Sequence, residues 1–372
     1  LDEGSSMEQD TIHVPVTKLY DFMLAVFLKA GVPQADARMC ADVLIKSDLR
    51  GIESHGIGRL RMYYERLKSG LIEKEARLTV VRESPTTAVI DGNHGLGMVV
   101  ATKSMQMAIT KAQEFGMGAV AVRNSTHFGI DGFYPLMAVQ QDMIGMSFTN
   151  ARPCVSPTHG TQPTLGTNPI SFGAPTDEDC PFLFDGATSI TQRGKIEVLA
   201  RAEEALPVGW VIDQDNKPMT DPDQILQEIV HDRAALLPLG GVDELNGSHK
   251  GYCLSTIVEI LSSALQSGAF LFQLSGLGEN NQPTHFRVGH FFLAMNIENF
   301  LPVNEFKKNI GDLLRTLRNT RKAPGKPRIY TAGEKEFEME KIVARQGVPV
   351  NVNLQKDILY LQQALGLTDA IF

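Results

Sequence analysis

Near the start of the chain, apolar residues recur at helical spacing. Leu19, Phe22, Met23, Val26 and Phe27 fall at i, i+3, i+4 and i+7. Thr17 is placed as the cap of this helix, and Gly31 with Pro33 as its stop. The same spacing predicts helices over 34–49 and 59–68, the second from Leu60, Tyr63, Tyr64 and Leu67. From about residue 78 the texture changes. Short β-rich runs at 88–91, 119–123, 144–149, 169–172 and 182–184 are separated by Gly, Pro and Asn turns. A helix fits 99–115, with Gly116 as its stop. Further on, 252–266 reads as a buried helix. The stretch 305–320 is amphipathic, with Phe306, Ile310, Leu313, Leu314 and Leu317 on one face. A linker over 323–327 and helices over 334–346 and 354–365 complete the chain. The pattern predicts a mixed α/β protein. A helical region 1–77 packs with 300–372, around a β-rich middle, 78–299, that carries the binding sites.

Composition narrows the function classes. At roughly 150 residues per domain, 372 residues suggest about two domains. A net charge of −8 argues against nucleic-acid binding, which needs a basic face. It leaves room for a small anion held by a local Arg/His pocket. No apolar run reaches the roughly 18–20 residues that span a bilayer, so no membrane partner is expected. The polar start lacks a signal core, and Leu1–Ser6 precede Met7 as an apparent addition. Four scattered cysteines without a CxxC pair read as free thiols in a reducing compartment, which points to the cytoplasm. The histidines form no metal-ligand pair, so no metal is expected.

The chemistry-bearing strings come next. Gly95-Leu96-Gly97-Met98-Val99-Val100 approaches a dinucleotide fingerprint, but Val100 replaces the third glycine. The next strand also ends without a ribose-binding acid, so a glycine-rich turn is the better reading. In Ser54-His55-Gly56-Ile57-Gly58-Arg59, a hydroxyl, an imidazole and a guanidinium meet at a loop-to-helix junction. A helix starting near His55 would put His55, Arg59 and Tyr63 on one face. Arginine can clamp a carboxylate through two N–H bonds, and histidine exchanges protons near neutrality. A helix cap with surface charge is the plainer alternative. His127, in Asn124-Ser125-Thr126-His127-Phe128-Gly129, follows an apolar strand in a Gly-flanked loop, where catalytic groups are often held. It could equally satisfy loop backbone. Asn150, Thr167 and Asn168 offer polar groups at strand ends. Asp185 follows three apolar residues and needs a partner, either His55, His127 or a backbone turn. Lys195 and Lys250 could meet phosphates or simply be solvated.

Taken together these strings resemble the type-2 malate/L-lactate dehydrogenase family, which includes ureidoglycolate and sulfolactate dehydrogenases and reductases of oxo and imino acids. The matching pieces are SHGIGR (54–59), NSTHFG (124–129), FTN (148–150), LGTNPISFGAP (165–175), FDGATS (184–189), RGKI (193–196), LPLGG (237–241), HKGY (249–252), HFFLAMNIENF (290–300) and AGEKE (332–336). Cys253, Ala332 and Gly186 depart from the usual pattern without removing a polar group. The resemblance implies a non-Rossmann fold with a largely antiparallel cofactor-binding sheet. It implies NAD or NADP as cofactor, a small 2-hydroxy or 2-oxo acid as substrate, and a homodimer. It makes His127 the proton acceptor, with Ser54, His55 and Asp185 beside it. Arg59 becomes the carboxylate clamp, joined by Tyr63, Asn150, Thr167 and Asn168. Gly129, Thr188, Ser189, Lys195, Lys250, Gly333 and Glu334, with His127, fall in cofactor-associated segments. Arg152, just past Thr149-Asn150, would then suit a second substrate carboxylate and favour malate over lactate. A non-catalytic binder on the same fold is the competing reading.

Overall fold

The computed structural model describes residues 11–201, 203–368 and 371–372; Leu1–Ser6 and the rest of the polar start lie outside the described residues. The chain opens with β1 (Ile12–Val14), α1 (Val16–Lys29), α2 (Gln34–Leu49) and α3 (Leu60–Lys68). It continues through β2 (Thr79–Glu83), β3 (Thr87–Asp91), α4 (Gly97–Phe115), β4 (Met117–Ser125), α5 (Phe133–Val139) and β5 (Met143–Thr149). Next come β6 (Ile170–Ala174), β7 (Phe182–Gly186), α6 (Arg193–Arg201), β8 (Val211–Asp213), β9 (Pro218–Met219), α7 (Pro222–Val230) and β10 (Ala234–Leu236). The last elements are α8 (Ser248–Ser262), β11 (Val288–Asn296), α9 (Val303–Arg318), α10 (Glu334–Gln346), β12 (Val348–Val350) and α11 (Val352–Leu365).

The main sheet has seven strands in the order β2-β3-β4-β11-β5-β6-β7. Neighbours are antiparallel except β3 and β4, which are parallel. Parallel neighbours need a crossover, and α4 supplies it. Gly116 stops α4 in the left-handed region at φ 88°, where glycine carries no Cβ penalty. Strand β11 is central: His290 pairs with Val122 of β4 on one side and with Thr149 of β5 on the other. Helices and sheet share one core that runs from Val14 to Met143 and takes in Phe292, Ala294 and Val343 to Ile371. At the far end of the chain, β12 pairs with β1, so both ends join this core. A second core, Val155 to Leu236, fills the lobe around the small sheet β10-β8-β9.

Two expectations change. Helix α1 starts at Val16 behind Pro15, so Thr17 lies inside the first turn and does not cap it. The helix expected over 252–266 is α8, which starts at Ser248 and ends at Ser262. It is not buried all round, because Leu254, Ile257 and Ile260 remain exposed.

Candidate active site

The site starts where α2 hands over to α3. Ile57–Arg59 form a short 3-10 turn, and α3 proper begins at Leu60. His55 therefore stands in the turn before the helix and does not share a helical face with Arg59 and Tyr63. The turn is anchored from below by Asp48: its Oδ2 accepts the Ile57 N–H at 2.8 Å. Gly56 is required there, since a Cβ would come within 1.9 Å of the Asp48 carboxylate. Burial raises the Asp48 carboxyl to about 8. Within the turn, Ser54 Oγ meets His55 Nδ1 at 2.8 Å. The Arg59 Nε–H donates to the Ser54 carbonyl at 2.6 Å.

The second half comes from the loop after β4. Gly97, the first residue of α4, lets the helix start lie against that loop; a Cβ would sit 2.1 Å from the Thr126 carbonyl oxygen. The Gly97 N–H donates to Thr126 Oγ1 at 2.8 Å. Gly129, at φ +81°, carries an N–H that points to His127 Nδ1 at 3.3 Å. The hydroxyl of Tyr63, fully buried on α3, meets the same Nδ1 at 2.6 Å. With Nδ1 occupied, Nε2 is the nitrogen left for chemistry. The rings of His55 and His127 stack, 5.4 Å between centroids and 20° between planes. Burial, with Arg59 adding to it, lowers His55 to about 4. Burial and then the charges on His55, Arg59 and Arg66 hold His127 well below the usual histidine range. Both imidazoles are thus neutral at pH 7. Behind them, Phe128 stacks at 4.5 Å on His290 of β11.

Arg66 was not singled out in the sequence. It lies seven residues beyond Arg59 and three beyond Tyr63, a spacing that puts all three on one face of the helix. Burial lowers its guanidinium, and the charges of Arg152 and Arg59 act the same way. Arg59, Arg66 and Arg152 form no ion pair among the described residues, whereas Arg61, Arg123, Arg315 and Arg318 do.

Other candidates fall differently. Asn150 is spent inside the protein: its amide donates to Glu259 at 3.2 Å and to Ala269 O at 3.1 Å, and its oxygen accepts from Gly289 N–H at 2.8 Å. Asn168 donates to Glu259 at 2.8 Å and to Ser255 O at 3.1 Å, and accepts from Ala151 N–H at 3.2 Å. Both surround the buried Glu259, with their amide groups already bonded inside the protein. The Thr167 carbonyl accepts from Thr188, and the Ser189 hydroxyl donates to Thr191 O at 2.7 Å. Asp185 accepts the Gly132 N–H at 2.7 Å and makes no hydrogen bond to His55 or His127 among the described residues, so the backbone turn is its partner. Desolvation by the groups packed around it lifts it to about 6, although its side chain stays exposed at the cavity. It borders a cavity of about 320 Å³ lined by Arg50, Phe184, Tyr330, Gly333 and Lys335. Glu334 faces away, held by Arg318 and by the Thr331 N–H at 2.9 Å. Lys195 and Lys250 are exposed. Lys195 follows Gly194, where a Cβ would reach to 3.2 Å from the Ser54 side chain, so its segment borders the site.

The family model described as malate/L-lactate dehydrogenase matches residues 14–359. The chain belongs to this family. Malate dehydrogenase of Pyrococcus abyssi is 41% identical over 98% of both chains. L-sulfolactate dehydrogenase of Methanocaldococcus jannaschii is 39% identical over 93% of this chain and 95% of its own. The crystal structure of malate dehydrogenase from Entamoeba histolytica superposes with a TM-score of 0.94 at 46% identity, over 96% of this chain and 99% of that one. Membership makes the chain a 2-hydroxy acid dehydrogenase, and the sheet described above is the family's mixed, mostly antiparallel one.

Proposed function

We propose that the chain oxidises a small 2-hydroxy acid at the His55/His127 pair, with His127 as proton acceptor and Arg59 as carboxylate clamp. The observation behind this is that the Tyr63 hydroxyl holds His127 at Nδ1, at 2.6 Å, and leaves Nε2 without a partner among the described residues. NAD or NADP supplies the hydride acceptor when bound. The residues fit such a group: Gly194 leaves beside Ser54 the space a Cβ would fill, and Lys195 next to it is exposed and free to meet a phosphate. We place the cofactor outside a Rossmann frame. Among the described strands of the seven-stranded sheet only β3 and β4 pair in parallel, and Gly97 after β3 serves the His127 loop.

In this reading the substrate carboxylate docks on Arg59, and Ser54 and His55 orient the C2 oxygen. Nε2 of His127 takes the hydroxyl proton. Tyr63 makes this possible, because its hydroxyl also lies 3.4 Å from the His127 carbonyl. When it donates there, Nδ1–H can donate to the phenol oxygen at 2.6 Å in place of accepting the longer Gly129 contact at 3.3 Å, and Nε2 is left free. Burial holds Tyr63 above the usual phenol range, so it keeps its proton. The docked carboxylate also offsets the positive field of Arg59, which makes His127 a better base once substrate is present. A positioned proton acceptor is worth about 10²–10⁴ in rate. Arg152 is exposed and its charge acts on Arg66, which supports a substrate with a second anionic group.

We also infer a homodimer through α8, whose Leu254, Ile257 and Ile260 form an exposed apolar row. The test is a panel of 2-hydroxy and 2-oxo acids with NAD and NADP, read by absorbance of the reduced nicotinamide. Turnover of malate or a related acid with either cofactor is the expected result; no turnover of any acid would overturn the reading.

A further inference from the structure

Arg66 occupies a built setting. Its guanidinium lies 4.1 Å above the ring of Phe286. Phe286 is buried and locked: Gly276, at φ +73°, makes room for it, since a Cβ would come within 2.4 Å of the ring. The residue before it, His285, stacks on His94 with 4.0 Å between centroids. His285 Nδ1 also meets the Leu71 carbonyl, just past α3, at 3.0 Å. The shelf is therefore tied to the same helix that carries Arg66. A guanidinium stacked on a ring keeps its in-plane N–H donors unspent. Among the described residues, no carboxylate and no hydrogen-bond acceptor takes up the Arg66 side chain.

Arg59 and Arg66 sit on one face of the helix with Tyr63 between them, and Tyr63 holds His127. The base thus lies between two cations. A substrate whose carbinol carbon meets His127 would place one anionic group toward Arg59 and a second toward Arg66. We propose that Arg66, held on Phe286, receives a second anionic group of the substrate, a carboxylate or a sulfonate. The substrates are then 2-hydroxy diacids in preference to lactate-type monoacids. This rests on the dehydrogenase reading above. It explains why three guanidinium groups are gathered without counter-charges: a doubly anionic ligand supplies them. A monoacid would leave Arg66 and Arg152 uncompensated.

The test compares malate with 2-hydroxybutanoate, in which a methyl group replaces the distal carboxylate. Arg66→Gln is expected to lower kcat/KM for malate by about 10–100-fold, mainly through KM, as for loss of a charge-assisted hydrogen bond. The value for 2-hydroxybutanoate should fall far less. Arg66→Lys should recover part of the malate activity, and Phe286→Leu should raise KM for malate several-fold. Calorimetric binding of succinate against butanoate reads the same preference without turnover, so an inactive enzyme refutes the dehydrogenase reading and leaves this comparison intact. Equal losses on both acids, or an unchanged malate preference, would overturn the role of Arg66.

Discussion

His290 offers a titration experiment that isolates one side chain. Its ring bridges three strands, with Nδ1 2.8 Å from Thr149 Oγ1 of β5 and Nε2 2.8 Å from Ser125 Oγ of β4. Burial lowers it to about 3. An unfolded histidine titrates near 6.5. The folded value lies below the unfolded one, so its contribution to stability is present above about pH 6.5 and is lost as pH falls toward the folded value. At pH 5 the folded ring is still neutral while the unfolded one is protonated. The loss is about 1.5 pH units at about 1.36 kcal/mol each, or roughly 2 kcal/mol. Absolute stability would hide this, because Asp48 and Asp185 are raised by desolvation and act in the opposite direction. A difference removes them. His290→Gln keeps polar contacts to both hydroxyls but does not titrate. Urea unfolding of both proteins, followed by circular dichroism at pH 7.5 and pH 5 and matched protomer concentration, gives the difference at each pH. The advantage of wild type over the variant should shrink by about 2 kcal/mol on acidification. An unchanged difference would refute the claim that His290 is held neutral.

Other outcomes are accessible to standard assays. His127→Ala should lower kcat by about 10² or more with little change in cofactor affinity, and near-normal turnover would move the proton role to His55. Arg59→Lys should raise KM strongly, because a two-pronged clamp becomes a point charge; an unchanged KM for every acid would remove Arg59 from the pocket. Asn168→Ala should destabilise the fold by about 1–3 kcal/mol, since Glu259 loses a buried donor, while KM of the folded enzyme holds. A large KM change with intact stability would return Asn168 to the substrate. Ile257→Glu should convert a dimer to monomers by light scattering; an unaffected dimer would place the interface elsewhere.

Where apolar periodicity was long and uninterrupted, the helices were legible in the sequence. Helix α2 spans the predicted 34–49, and α10 the predicted 334–346. Strand β11 was not, although it lies at the centre of the sheet. Its Val288–Asn296 run is apolar on both faces, so it lacks the alternation that marks a half-buried strand. Helix α5 was missed because it is only seven residues long and contains Pro135. In the candidate site, His127 and Arg59 announced themselves by residue type. Asn150 and Asn168 did as well, yet their partner Glu259 lies roughly a hundred residues away and nothing local links them. Arg66 was not singled out, because an arginine on a short helix carries no local mark of a site. Only the fold brings Phe286 beneath it and leaves it without an acid.

The glycines before α4 bear on how such sequences are searched. Gly95 is needed because Ala76 lies 2.9 Å from where its Cβ would be, and Gly97 because the Thr126 carbonyl lies at 2.1 Å. A dinucleotide fold places glycine at a helix start so that a pyrophosphate can approach. Here the visitor is the protein's own chain, Ala76 against Gly95 and the loop that carries His127 against Gly97. The two demands write similar letters after a strand. A glycine pattern therefore records clearance and leaves open what occupies it. A motif search keyed to this stretch would map the nucleotide onto the backbone of the loop that carries His127.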